Sequence, residues 1–140
     1  MKVLTCKTSP YETMITSIKL LISNNGYNMY IAGQANGVIK IFTCSKADQV
    51  AELQGHSRSV NGLACHSLKP LFATVSDDTI VNLWFCKFED SSHDLKDIEL
   101  IKSTRIPNNL LVGVVFGNEE KTLLVSPYDY KYLIHFPDII

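Results

Sequence analysis

Gly55-His56-Ser57-Arg58-Ser59-Val60, then Leu71-Phe72-Ala73-Thr74-Val75-Ser76-Asp77-Asp78, then Thr79-Ile80-Val81-Asn82-Leu83-Trp84, is the stretch that decides the fold of this chain. Strand side chains alternate between faces. Phe72, Thr74 and Ser76 therefore share one face, and Ala73 and Val75 the other. Asp77-Asp78 makes a tight turn, because Asp tolerates turn geometry and bonds its own backbone. Beyond the turn, Val81 and Leu83 share one face, and Asn82 and Trp84 the other.

Working outward, the pattern repeats. Sliding the sequence by 42 positions puts Ser17 on Ser59, Ile18 on Val60, Asn36 on Asp78, Ile41 on Leu83, Phe42 on Trp84 and Cys44 on Cys86, with no gap needed. Sliding by 51 from the second unit puts Val60 on Leu111, Gly62 on Gly113, Asp78 on Asp129 and Leu83 on Ile134. A period of about 40–45 residues is that of a four-stranded propeller blade. The nine additional residues of the second interval are assigned to the polar, turn-like run Glu89–Asp97, as a loop between the third and fourth strands.

The resulting division is all-β. Residues 1–10 supply the outer strand of a preceding blade, broken by Pro10. Residues 11–54 form a blade, with turns at Asn24-Asn25-Gly26 and Ala35-Asn36-Gly37. Residues 55–106 form a second blade, carrying the polar loop 89–97 and an outer strand over 98–104. Residues 107–140 form a blade with strands over 110–116, 122–126 and 130–136 that lacks its outer strand. The expectation is an arc of about three antiparallel blades. Closed rings have about 4–8 blades, so the arc is expected to be the C-terminal part of a larger propeller.

These features resemble the WD-repeat family: a Gly-His pair, a strand of small residues ending in Ser-x-Asp, and a strand ending in an aromatic. Trp84-Phe85 departs from the usual Trp-Asp ending. The order of Ile31–Phe42, Asp77–Trp84 and Val114–Phe116 through Tyr128-Asp129 to His135-Phe136 is similar to the C-terminal half of the WD repeat-containing protein 54 family. The resemblance implies a partial WD-repeat β-propeller that holds other proteins and catalyses nothing. It also implies one hydrogen-bonded blade network, which would be His56, Thr74 or Ser76, Asp78 and Trp84. It places the residue before each innermost strand on a channel rim. Here that is Arg58, with Thr16 and Asn109 as its counterparts by the two offsets. An arginine there would grip an acidic peptide through paired hydrogen bonds.

Bulk properties narrow the alternatives. The 140 residues are 46% hydrophobic, enough for a core. With 13 basic and 14 acidic residues the net charge is −1 and there is no basic stripe, which argues against nucleic acid as a partner. No apolar run approaches the ~18 residues of a membrane span, and blade edges lack the basic pairs that a lipid surface would want. Cys6, Cys44, Cys65 and Cys86 have no Cys-x-x-Cys spacing, which suits reduced thiols in an intracellular, cytoplasmic setting. Cys65 and His66, with His56, make the best candidate metal cluster. Adjacent strand residues face opposite ways, however, and no metal or other cofactor is expected. A hydrolase is a weaker alternative, since no Gly-x-Ser-x-Gly elbow occurs. The expected partners are other proteins, the missing propeller half or a second copy of the chain. A fragment with no activity of its own is the alternative function.

Overall fold

The computed structural model describes residues 13–22, 28–117 and 119–139. The expected strand near residues 2–7 and the turn at residues 24–26 lie outside them. The chain forms β1 (Ile15–Leu21), β2 (Met29–Gln34), β3 (Val38–Thr43), β4 (Gln49–Gln54), β5 (Val60–Cys65), β6 (Leu71–Ser76), β7 (Ile80–Phe88), β8 (Leu95–Arg105), β9 (Leu111–Gly117), β10 (Thr122–Pro127) and β11 (Ile134–Phe136). They make three antiparallel meanders, ordered β1-β2-β3-β4, β5-β6-β7-β8 and β9-β10-β11. No helix of the described residues is long and apolar enough to cross a membrane.

The blades stack face to face because their strands carry apolar residues on both faces. Leu21, Met29, Ile31, Ile39 and Ile41 of the first blade meet Val60, Leu63, Phe72, Trp84 and Cys86 of the second. Ala73, Val75, Val81 and Leu83, on the opposite face of the second blade, meet Leu111, Leu123 and Val125 of the third. The second blade is thus covered on both sides, and every residue of β6 is buried. Each fully buried large apolar side chain contributes about 1.5–3 kcal/mol. Innermost strands approach closely, and a Cβ on Gly62 of β5 would stand 3.1 Å from Cα of Gly113 in β9.

The β2–β3 and β6–β7 turns are built alike. Asn36 Oδ1 accepts from Val38 N at 3.1 Å, and Asp78 Oδ1 accepts from Ile80 N at 3.0 Å. Gly37 (φ 88°) and Thr79 (φ 71°) hold the left-handed position. Each offers its carbonyl to a residue just beyond its blade's outer strand, Gly37 to His56 N at 3.1 Å and Thr79 to Ile106 N at 2.8 Å. Gly37 also has no room for a side chain, as a Cβ would fall 2.0 Å from the His56 carbonyl oxygen.

Four expected details differ. First, the 42-position register fails in β1. Lys19 pairs with Ile31 as Ala64 pairs with Ala73, so β1 is offset by 45 and only β2 and β3 by 42. The additional three residues lie in the β1–β2 connection. The slip is odd, so it exchanges faces: Ile18, matched to buried Val60, is 55% exposed. Apolar residues stand on both parities of Ile15–Ile22, and the pattern there does not choose a register. Second, the polar run 89–97 is not all loop. β8 begins at Leu95, with Phe88 opposite Leu95 and Lys87 opposite Asp97, because Phe88 and Leu95 extend the hairpin over the first blade's core. Third, β11 spans only Ile134–Phe136, and residues 130–133 are exposed. Fourth, Ile134 faces Val125 and not Leu124, so that hairpin is one residue longer than the β6–β7 hairpin.

Candidate functional site

His56, Thr74, Asp78 and Trp84 converge at the start of the second blade. His56 precedes β5, Thr74 is central in β6, Asp78 makes the β6–β7 turn and Trp84 is in β7. Trp84 Nε1 donates to Thr74 Oγ1 at 3.0 Å. The Thr74 hydroxyl donates to His56 Nε2 at 2.8 Å, and His56 Nδ1 donates to the Asp78 carboxylate at 3.0 and 3.1 Å. Asp78 also accepts from Ser57 N at 3.0 Å. Burial pushes the His56 pKa below the usual histidine range, against the pull of Asp78, and a neutral ring fits its accepting Nε2. Ser76 stands apart from this chain. Its Oγ donates to the Arg58 carbonyl at 3.2 Å and accepts from Asp78 N at 3.1 Å, fixing the turn.

Threonine, histidine and aspartate in this order have the connectivity of a nucleophile, base and orienting acid. Their surroundings oppose that role. Thr74 is 0% exposed and the ring of Phe72 stacks beside Trp84, so no substrate carbon reaches Thr74 Oγ1 at the ~3–3.5 Å that attack needs. What the arrangement can do is pin β6, β7, the turn between them and the loop before β5 by satisfied buried polar groups.

The three rim candidates separate. Arg58 and Asn109 each stand two residues before the first residue of an innermost strand, and both line one groove of about 430 Å³ between the second and third blades. Thr16 does not belong with them. It lies inside β1, where its hydroxyl meets the carbonyls of Gly33 and Val60 and ties the first blade to the second. The three-residue slip of β1 is the reason.

Arg105, Asn108 and Leu110, which sequence reasoning missed, line the groove as well, and Asp77 and Asp78 of the β6–β7 turn share it with the two arginines. The available signal was the Arg105-Ile106-Pro107-Asn108-Asn109 run between β8 and β9. Neither Arg58 nor Arg105 makes an ion pair among the described residues. Arg105 Nε donates to Thr79 Oγ1 at 3.4 Å. Asp77, on the same wall, is engaged by Asn61 Nδ2 at 2.6 Å, which also donates to the Leu111 carbonyl at 3.0 Å. Asn109 is 8% exposed and donates to the Pro107 carbonyl at 2.8 Å, while its Oδ1 has no hydrogen-bond donor among the described residues.

Cys65 and His66 face opposite ways. Cys65 packs against the core between the first two blades, where burial pushes its thiol and that of Cys86 up to about 12. His66 turns to the third blade, with Glu120 Oε2 2.7 Å from its Nδ1 and the ring of Phe116 5.3 Å away.

Comparison with known proteins agrees with this geometry. The family described as WD domain, G-beta repeat matches residues 47–84. That span runs from β4 through β7, one strand out of phase with the structural blade. No curated protein matches the chain in sequence. Among solved structures 489 chains match, so the likeness selects a fold and not a partner. One is the crystal structure of the Myceliophteria thermophila Cps50 (Swd1) beta-propeller domain, at 16% identity and a TM-score of 0.72. The match covers 98% of this chain but 45% of that one, so the chain spans less than half of that propeller domain. The chain carries a WD repeat and folds as a partial WD-repeat β-propeller.

Proposed function

We propose that the chain is a non-catalytic protein-interaction scaffold whose partner presents an acidic segment to the groove between the second and third blades. The observation that carries this is the placement of Arg58 and Arg105 in one groove with no carboxylate paired to either among the described residues. A guanidinium offers a rigid fork of donors that matches a carboxylate. WD propellers as a class bind other proteins, which agrees with this use of a rim. The finer likeness to the C-terminal half of WD repeat-containing protein 54 belongs to the same proposal. So does an intracellular, cytoplasmic setting, in keeping with free Cys44, Cys65 and Cys86.

The test is fluorescence anisotropy with a labelled peptide bearing a run of Asp and Glu. Arg58→Glu with Arg105→Glu is expected to weaken binding at least tenfold while the circular dichroism spectrum stays unchanged. Equal binding by wild type and variant sinks the rim assignment.

A second reading has one observation in its favour. The arc spans 45% of the propeller it overlays, so it acts only within a larger ring. An immunoblot of the native protein separates the two readings. A band near 15.7 kDa supports the short chain as the working unit, and a band roughly twice that size, as a closed ring of ~40-residue blades requires, supports the larger ring.

A further inference from the structure

We propose a second docking site, on the side of the arc between the first two blades, for an extended protein segment that carries an apolar anchor next to a lysine or arginine. The site is separate from the rim. It lies at the far end of β7, a nine-residue strand and therefore about 30 Å from the Asp78 turn.

The groove holds about 380 Å³. Met29, Val50, Phe88 and Leu95 supply apolar lining, and Ser92 and Asp94 stand on the hairpin side. It continues as a shallower trough between β4 and β8, past Leu53 and Ile98. The hairpin insertion creates it. A two-residue turn suffices to join antiparallel strands. Here β7 and β8 run on past the first blade's β3–β4 turn, and the added length carries Phe88 and Leu95 over that blade's core. Val50 remains 44% exposed beside them.

Charge selects the occupant. Lys96 is paired with Glu89 at 3.4 Å and Lys87 with Glu99 at 2.9 Å. Asp90 and Asp94 make no ion pair among the described residues, so the hairpin tip presents two carboxylates, with His93 between them, beside the apolar lining. A leucine-like side chain in the groove with a neighbouring cation on the tip satisfies both features. The seat is made by side chains and not by strand addition, because β8 is irregular at its edge. Its register slips at Lys96 and again at Ile101, which blocks a continuous added ladder.

The probe is a fluorescein-labelled nine-residue peptide with leucine at alternate positions and lysine at both ends, titrated with the whole chain and read by anisotropy. Two control peptides carry glutamate at the ends or serine for leucine. The lysine-ended peptide is expected to bind at least tenfold more tightly than either control. Val50→Glu is expected to abolish this binding. Asp90→Lys with Asp94→Lys is expected to reverse the end preference, and it decides alone if Val50→Glu fails to fold. Arg58→Glu is expected to change nothing, so loss there reassigns the binding to the rim and overturns the proposal. Equal affinity for lysine- and glutamate-ended peptides, or no binding by 1 mM, overturns it as well.

Discussion

One oxygen, Thr74 Oγ1, serves two buried ring nitrogens, Trp84 Nε1 and His56 Nε2. It accepts from Trp84 and donates to His56. Valine has nearly the shape of threonine but neither function. Thr74→Val therefore leaves a buried N–H and a buried ring nitrogen unpaired, each costing about 1–3 kcal/mol. We expect urea unfolding of Thr74→Val to show a loss of about 2–4 kcal/mol, with Thr74→Ser retaining most of the stability. A Val variant within about 0.5 kcal/mol of wild type removes the network from the list of blade-holding interactions. The same site sets a pH response. Burial holds the His56 pKa below its unfolded value, and His66 is lowered in the same way despite Glu120, with Lys69 adding to the lowering. In the window between the folded and unfolded pKa values the unfolded chain binds more protons, so stability rises with pH there. The contribution is fully present above the unfolded value of about 6.5 and is lost as pH falls below it. The melting temperature is therefore expected to be level above about pH 7.5 and to drop from about pH 6.5 downward. His56→Gln with His66→Gln is expected to flatten that part of the profile.

At the scale of the element, legibility followed how strongly each strand is constrained. β6 and β7 lie between two other blades and read clearly, since buried faces on both sides and an Asp turn leave one register. β1 has one covered face, and its apolar residues fall on both parities. A three-residue slip there is invisible to pattern matching, and it carried Thr16 to a rim that the folded strand does not reach. The run 89–97 is polar at most positions and reads as loop. Its outer part is strand because Leu95, one apolar residue, meets Phe88 across the hairpin. The blade network was legible because each member has a distinct residue type at a set spacing. The groove between the second and third blades was half legible. Arg58 and Asn109 follow from position in the repeat, whereas Arg105 enters from the end of an outer strand, a place that repeat spacing does not mark.

At the scale of the molecule, the arc has two terminal blades, and each turns apolar residues outward on its innermost strand. On β1 these include Ile15, Ile18 and Leu20, with Ile22 just beyond it, and on β9 they are Val112 and Val115, the last 53% exposed. Repeat architectures bury such faces by stacking on a neighbour, and contiguous exposed apolar patches drive association. The 140-residue chain by itself is therefore expected to gain weight-average mass as its concentration rises, measured by light scattering over the micromolar range. Ile18→Lys with Val115→Lys places a charge on each face without touching the two inter-blade cores, since neither residue is in them. That variant is expected to stay near 15.7 kDa over the same range. Its melting temperature at low concentration should match that of the wild type. A wild-type chain that remains monomeric throughout means that these faces are too dispersed to drive association, and stability of the arc then rests on its two internal cores alone.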